Sequence, residues 1–162
     1  MTEIRELFYA YLDPNNPNPD ESGKALLEQF CSSIDVLFEI IQNEALLRRP
    51  GAVFLKRVID LQLEEINAEG RQEIFAFVTM ELIPNILPQD PNYLSPIIYE
   101  VFSKVAQSID ADNDSLNEYI KNLSDPVFLP FIIIYLNNLD PSFIDLESTC
   151  EILVAALEID DE

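Results

Sequence analysis

The sequence predicts an all-α fold in which short helices pair one after another, as in a HEAT-type α-solenoid. Apolar residues recur every three or four positions along nearly the whole chain, which is the spacing of helices with one buried face. No stretch alternates apolar and polar residues as a half-buried strand does, and proline or aspartate marks the breaks. With 162 residues, of which 48% are apolar, the chain is able to bury a core.

The first forty residues predict one short helix and one long helix. The short helix covers residues 2–12, and its apolar face consists of Ile4, Leu7, Phe8 and Tyr11. A polar, proline-rich loop follows it. The long helix then begins at Asp20 or Ser22, bends near Ser32 and ends near Gln42.

Residues 46–59 predict a helix that is both basic and apolar. Pro50 suits its first turn, and the small residues Gly51 and Ala52 allow a neighbouring backbone to come close. Its apolar face consists of Ala52, Phe54, Leu55, Val58 and Ile59. The segment and its entrance hold four of the nine basic residues of the chain, which are Arg48, Arg49, Lys56 and Arg57.

The rest of the chain predicts five more helices. One covers residues 68–82, and the next begins near Pro91 or Tyr93, after a proline-rich centre, and runs to Ser108. The last three cover residues 114–122, 126–138 and 141–158. Of these, 126–138 is apolar on nearly every side and is therefore expected to be buried.

The eight predicted helices pair into four units within a single domain, 1–162. The pairs begin about 35–45 residues apart, which is the length of a HEAT repeat of two helices. The approximate repeats are 1–44, 45–88, 89–124 and 125–162. An irregular helical bundle would show much the same periodicity, so the pattern alone leaves both architectures open.

Charge is the strongest indication of the kind of partner. Thirty acidic and nine basic residues give a formal net charge of −21. Such a field repels nucleic acid and anionic membranes and attracts basic proteins, although a solvated acidic surface without a partner is the alternative. The four cations of 46–59 lack interleaved aromatic residues, and we expect them to pair within the molecule, with Glu44, Glu64 or neighbouring repeats.

The cysteines and the apolar runs indicate a protein of the cytoplasm and nucleus. Cys31 and Cys150 lie in apolar helical patterns and predict buried, reduced thiols. The N-terminus lacks the apolar region of a signal peptide. The longest apolar run, 127–136, is about half the length of a membrane span and contains Pro130, so it predicts a buried helix.

Enzymatic and metal sites find little support in the sequence. The chain has no histidine, which excludes histidine-based triads and metal sites, and its three glycines form no phosphate-binding loop. The acidic loop 110–118 resembles a calcium loop, but Ser115 and Lys121 stand where an EF-hand needs Gly and Glu. We therefore expect no cofactor, no metal and no catalysis, and a carboxylate-based enzyme is only a third hypothesis.

Three stretches of the first half share a pattern with one known family. They read Ala-Leu-Leu-Glu-Gln-Phe at 25–30, Val-Leu-Phe-Glu-Ile-Ile at 36–41 and Arg-Pro-Gly-Ala-Val-Phe-Leu-Lys at 49–56. Together they resemble the N-terminal domain of the importin-β (karyopherin-β) superfamily, closest to the branch that imports ribosomal proteins and histones. The residues that fit the family's hallmark are Arg49, Gly51, Ala52, Leu55, Lys56 and Ile59. Arg57 stands where Asn is usual, and the chain lacks the tryptophans that are common in the family.

The resemblance implies a right-handed superhelix whose second helices line a concave face. It implies an N-terminal module that binds a Ran-type small GTPase in its GTP form, with basic proteins as cargo, in nucleocytoplasmic transport. The candidate contacts are exposed acidic positions on the inferred inner helices, namely Glu28, Asp35, Glu39, Glu73 and Glu118. For any single one of them, an ordinary solvated helix face is the favoured interpretation.

The alternative function is a generic HEAT-repeat scaffold, or an acidic escort for basic proteins that acts independently of Ran. The last repeat raises a separate expectation, because complete receptors of the family continue with further repeats. Without a following repeat, Phe143, Ile152 and Leu153 would face solvent and support self-association, unless the acidic tail 158–162 caps them.

Overall fold

Helices account for the regular structure of the computed structural model, which describes residues 2–109, 130, 131, 133 and 154. No β-strand occurs among these residues, so the fold is all-α as the sequence predicts. The helices are α1 (Thr2–Leu12), α2 (Pro19–Ser32), α3 (Ile34–Asn43), α4 (Arg48–Gln62), α5 (Ala68–Phe77) and α6 (Pro91–Ser108). No helix in this part of the chain has the length and hydropathy needed to cross a membrane.

Several predictions fall wholly or mainly outside the described residues. They concern the three helices after residue 110, the calcium-like loop, Glu118, Cys150 and the apolar end of the last repeat. The described helices belong to two compact units, Met1–Ile66 and Asn67–Glu162. The repeat limits themselves stay a prediction.

In the first unit, α1 packs against α2, and α3 packs against α4. Helix α2 also contacts both α3 and α4. Helix α4, which the sequence places at the start of a second repeat, thus packs on helices assigned to the preceding one.

The long helix expected between residues 20 and 42 is wrong in one respect, because it is two helices rather than one bent helix. Ser33 separates them, with non-helical dihedral angles (φ −152°, ψ 73°). Its N–H donates to the carbonyl oxygens of Gln29 and Phe30 and so closes α2, while α3 begins at Ile34. Serine favours such positions because its side chain competes with helical hydrogen bonding.

The loop between α1 and α2 is held by side-chain hydrogen bonds. Asn16 Nδ2 donates to the carbonyl oxygen of Ala10 (2.9 Å) and to Ser22 Oγ (3.0 Å). The following helix begins at Pro19, slightly earlier than expected, because proline at the first helical position needs no N–H partner.

An aromatic cluster forms the centre of the first unit. Phe54 of α4 lies 5.3 Å from Phe8, 5.5 Å from Tyr11 and 5.4 Å from Phe30, measured between ring centroids. All three contacts have edge-to-face geometry, which aromatic quadrupoles favour. The Arg57 guanidinium lies over the Phe54 ring, 5.6 Å from its centroid.

The apolar face predicted for α4 is confirmed, since all five of its residues are buried. Gly51 is buried with them. A Cβ atom added at this glycine would lie 2.9 Å from Ile41 Cγ1 and 3.8 Å from Leu37 Cδ1 of α3. A close approach does occur at Gly51, but it is made by side chains of α3 and not by the neighbouring backbone that the sequence led us to expect.

Arg48 joins the two helices of this pair by a different contact. Its Nε donates to the carbonyl oxygen of Ile41 (3.1 Å) and its Nη2 to that of Gln42 (3.3 Å). These carbonyl groups belong to the last turn of α3, where the helix has no donors of its own. A cation at this end also interacts favourably with the helix dipole.

In the second unit, Asn67 caps α5, because its Oδ1 accepts a hydrogen bond from the N–H of Gly70 (2.8 Å). Helix α6 packs against α5 and against the segment that joins them. Phe75 and Phe102 stack with centroids 6.0 Å apart, and Phe131 lies 5.8 Å from Phe102. Arg71 Nη1 donates to the carbonyl oxygen of Ser108 (3.3 Å) at the end of α6.

The end predicted for the helix over 68–82 is wrong, because helical structure continues past Pro84. It becomes a π-helix over Val78–Ile86 and a 3₁₀ turn over Leu87–Gln89. Pro84 has no N–H for the carbonyl oxygen of Met80, which an α-helix would require. In the π-helical register a carbonyl group instead pairs with the N–H five residues later, which for Met80 is that of Asn85. Asn85 Nδ2 also donates to the Met80 carbonyl oxygen (3.4 Å) and to Glu81 Oε2 (3.0 Å).

Candidate partner-binding surface

The acidic residues predicted to bind a partner differ in the unit to which they belong and in their exposure. Glu28 is exposed on α2 and Asp35 is exposed in the first turn of α3, so both belong to the first unit. Glu39, also on α3, is half-buried. Glu73 is exposed on α5 in the second unit, and Glu118 lies outside the described residues.

Glu39 lies close to a basic residue of the same molecule and is not fully exposed to solvent. Its Oε1 lies 3.9 Å from Nη2 of Arg5, and the Arg5 Nε lies 3.3 Å from Oε1 of Glu44. Nε is buried and makes no hydrogen bond, so its contact with Glu44 is an ion pair by distance alone. Arg5 therefore links α1 to the end of α3, which lowers the charge that Glu39 offers to a partner.

Lys24 reduces the net negative charge on the exposed side of α2. Glu21, Lys24 and Glu28 are all exposed and follow one another at intervals of three and four residues. Residues at this spacing share one side of a helix, so Lys24 lies between the two carboxylates. Of the predicted contacts in the first unit, Asp35 and Glu28 remain the exposed ones.

The outer side of α1 is a candidate surface that the sequence analysis did not single out. Tyr9 is 46% exposed and Leu12 is 42% exposed, although both are large apolar side chains. Glu6 precedes Tyr9 by three residues on the helix, and Asp13 follows the last residue of α1; both are exposed. Asp13 Oδ1 accepts hydrogen bonds from the N–H (2.8 Å) and Nδ2 (3.2 Å) of Asn15, so Glu6 is the carboxylate of this surface that lies on the helix itself. We call the four residues Glu6, Tyr9, Leu12 and Asp13 the acid–tyrosine face.

The acid–tyrosine face has the chemistry to bind a basic segment with some apolar character. Carboxylates pair with Lys or Arg, and a tyrosine ring accepts a cation on its face. Tyrosine is also enriched among residues that contribute most to protein–protein binding. The signal in the sequence was the position of Tyr9 beside, rather than within, the buried stripe of α1.

Cys31 differs from its predicted state, because it is half-buried on α2 rather than buried in the core. Burial and, to a lesser extent, the Glu28 carboxylate raise the pKa of the Cys31 thiol. Both causes disfavour the thiolate, which is the reactive form of cysteine.

We expect Cys31 to be alkylated more slowly at neutral pH in the folded protein than in the unfolded chain. The rate should rise with pH, and Glu28→Gln should increase it by removing one of the two causes. Because the pKa is raised in the folded state, the associated stabilisation is present below the unfolded pKa and is lost as pH rises through the folded pKa. The rate of alkylation by iodoacetamide, measured across pH in a Cys150→Ser background, shows both the dependence on pH and the effect of Glu28→Gln. An unchanged rate in Glu28→Gln would show that burial alone controls the thiol.

The described residues present no arrangement for metal chemistry. Within them, no three Cys, Asp or Glu side chains lie close enough together to hold a metal ion. The geometry in this part of the chain instead consists of packed helices with charged and tyrosine-bearing outer sides.

A comparison of the chain with models of known protein families, with curated proteins and with solved structures found no match.

Proposed function

We propose that this chain is a non-catalytic helical module that binds a basic protein surface. The observation that carries the proposal is the acid–tyrosine face of α1, where two exposed apolar side chains lie among exposed carboxylates. Exposed Glu28 and Asp35 and the net charge of −21 add attraction at longer range. A basic, partly apolar partner satisfies both the charge and the apolar surface.

The partner that we propose first is a Ran-type GTPase in its GTP form, within a right-handed HEAT-type solenoid of helix pairs. The resemblance of residues 25–56 to the importin-β N-terminal domain supports it. So does the close packing of α4 on α3, which places the hallmark residues Gly51, Ala52 and Leu55 in a buried helix contact. This role implies a protein of cytoplasm and nucleus, with basic cargo as its second class of partner.

The alternative is an acidic escort or scaffold for basic proteins that acts without Ran. The acid–tyrosine face favours it specifically, because tyrosine with carboxylates recognises basic apolar segments in general. Nucleotide-dependent binding separates the two functions.

The experiment measures the affinity of the protein for Ran loaded with GTP, for Ran loaded with GDP, and for a histone. Binding that requires the GTP form supports the transport module. Histone binding without any preference between the two Ran forms supports the escort. Absence of all binding would overturn both. Added salt should weaken a true complex, since the attraction is electrostatic.

Substitutions in the acid–tyrosine face test whether the partner binds there. Glu6→Lys combined with Tyr9→Ala should weaken binding of the preferred partner by about tenfold or more, since an ion-pairing group and an aromatic contact are lost together. Glu65→Lys, at an exposed position beyond α4, changes charge by the same amount and is the matched control. Equal losses in both variants would show that net charge, and not the acid–tyrosine face, accounts for binding.

A further inference from the structure

The outer side of α5, together with the start of the π-helix that continues it, carries two glutamates and one large apolar side chain. Glu69, Glu73 and Met80 are exposed, and half-buried Ala76 lies between the last two. The four residues follow one another at intervals of four, three and four, which places them on one side of a continuous helix. We call these four residues the glutamate–methionine face.

The helix that carries this face supplies no cation to neutralise it. Arg71 is the only basic residue in 68–89, and its side chain donates to the carbonyl oxygen of Ser108 at the end of α6, away from the outer side. In the part of the chain that the structure describes, neither Glu69 nor Glu73 forms an ion pair or a side-chain hydrogen bond. The face therefore differs from the exposed side of α2, where a lysine lies between two carboxylates.

Met80 gives the same face an apolar contact. Among the described large apolar side chains of the second unit it is the most exposed, at 64%. A single exposed apolar residue is ordinary on a protein surface, but this one shares its side of the helix with two unpaired carboxylates. Methionine is unbranched and polarizable, so it adapts to the shape of an apolar ligand, and small Ala76 beside it allows that ligand to come close.

The ligand that suits this face is basic and has an apolar side. Two carboxylates without an internal counter-ion attract Lys or Arg, and the net charge of −21 favours a basic protein over a second copy of the chain. From Glu69 to Met80 the face extends about 15 Å, which is about three turns of a ligand helix. An amphipathic helix presents charged and apolar residues at matching intervals along such a length.

We propose that the glutamate–methionine face binds a basic amphipathic helix of a partner protein. Lys or Arg side chains of that helix pair with Glu69 and Glu73, and an apolar side chain about two turns further along packs on Met80. The face belongs to the second unit, whereas the acid–tyrosine face belongs to the first. The proposal therefore goes beyond the function proposed above and does not depend on it.

The composition of the chain makes binding at this face easy to observe, because Met80 is one of only two methionines and the chain has no tryptophan. The ligand is a synthetic peptide of about fifteen residues, with lysines on one helical face and leucines and one tryptophan on the other. Its addition to the full chain, labelled with carbon-13 at the methionine methyl groups, should shift the Met80 signal. The tryptophan emission should move to shorter wavelength and reports the affinity. Met80→Leu assigns the methyl signal.

Charge reversal should weaken the complex. Glu69→Lys combined with Glu73→Lys should lower the affinity for the peptide by about tenfold, because two attractive charges become repulsive. Met80→Ser should also lower it, without any change of charge. The matched control is Asp20→Lys combined with Glu21→Lys, at exposed positions in the first turn of α2, since Glu69 also lies in a first turn. The control should lower the affinity by about threefold at most, and melting curves check that each variant is folded.

Three outcomes would overturn the proposal. Equal losses in the control and in the α5 variant would show that net charge alone attracts the peptide. An unshifted Met80 signal at saturation would place the peptide elsewhere on the chain. Equally tight binding of a peptide with serines in place of the leucines would exclude the apolar contact.

A variant of the acid–tyrosine face separates this proposal from the proposed function. In Glu6→Lys combined with Tyr9→Ala, the peptide should still shift the Met80 signal, whatever the result with Ran or histone. Loss of that shift in the folded variant would show that the peptide requires the acid–tyrosine face and would refute a separate site on α5.

Discussion

Phe54→Ala is expected to lower the free energy of unfolding of the first unit by about 3–5 kcal/mol. Phe54 is 1% exposed and contacts three aromatic rings that belong to α1 and α2. Truncation removes buried apolar surface and leaves a cavity, and the remaining rings lose their edge-to-face partner. Urea denaturation followed by circular dichroism measures the change.

The control for this substitution is Tyr9→Ala, which also removes an aromatic ring from the first unit. Tyr9 is 46% exposed, so its loss should change stability by only about 0.5 kcal/mol. Similar effects from the two variants would contradict the assignment of Phe54 to the centre of the aromatic cluster.

Gly51→Val is expected to be the second most destabilising change, at about 1–3 kcal/mol. A Cβ atom at this position would lie 2.9 Å from Ile41 Cγ1, which is too close for real side chains. Ile41 is fully buried, so it has little room to move, and α3 and α4 must separate. Chemical denaturation of the purified variant measures the loss.

A double-mutant cycle isolates the steric cause. In an Ile41→Ala background the clashing atom is absent, and Gly51→Ala should then be neutral or stabilising, because alanine is the better helix former by about 1 kcal/mol. In the natural background, Gly51→Ala should destabilise. The same cost in both backgrounds would refute close packing between Gly51 and Ile41.

The sequence was informative where one strong local pattern controls the structure. The apolar stripe of α4 and the small residues at its start predicted both the buried face and the close helix contact, since a 3.6-residue period maps directly onto one side of a helix. The all-α class followed from the same period along the described residues. Pairing of particular helices was not predictable, because it depends on which buried faces fit one another.

Two local errors have identifiable physical causes. Ser33 ends α2 through hydrogen bonds of its backbone N–H, which do not depend on the serine side chain. A serine at this position therefore suggested a bent helix as readily as a break between two helices. Pro84 suggested a helix end, because proline normally removes a hydrogen bond. The helix continues because it widens to the π register, in which the N–H of Asn85 rather than residue 84 serves the Met80 carbonyl oxygen, and a local sequence pattern does not show that change of register.

The candidate site was the least predictable part. Acidic residues at exposed helical positions look alike in a sequence, and only the ion pair with Arg5 separates Glu39 from Glu28 and Asp35. The acid–tyrosine face was missed for a related reason. Tyr9 lay outside the predicted apolar stripe of the first helix, but one tyrosine on the outer side of a helix does not by itself indicate a binding surface.

The arginine contacts described above make the chain unequally sensitive to mutation. The chain has thirty acidic and only nine basic residues, and three of the basic ones, Arg5, Arg48 and Arg71, each connect two helices of a unit. Lysine cannot replace the two contacts that Arg48 makes at once, because it lacks a planar, forked donor group. Among the charged residues of these helices, substitution tolerance should therefore be lowest at these arginines, which carry the rarer kind of charge in the molecule.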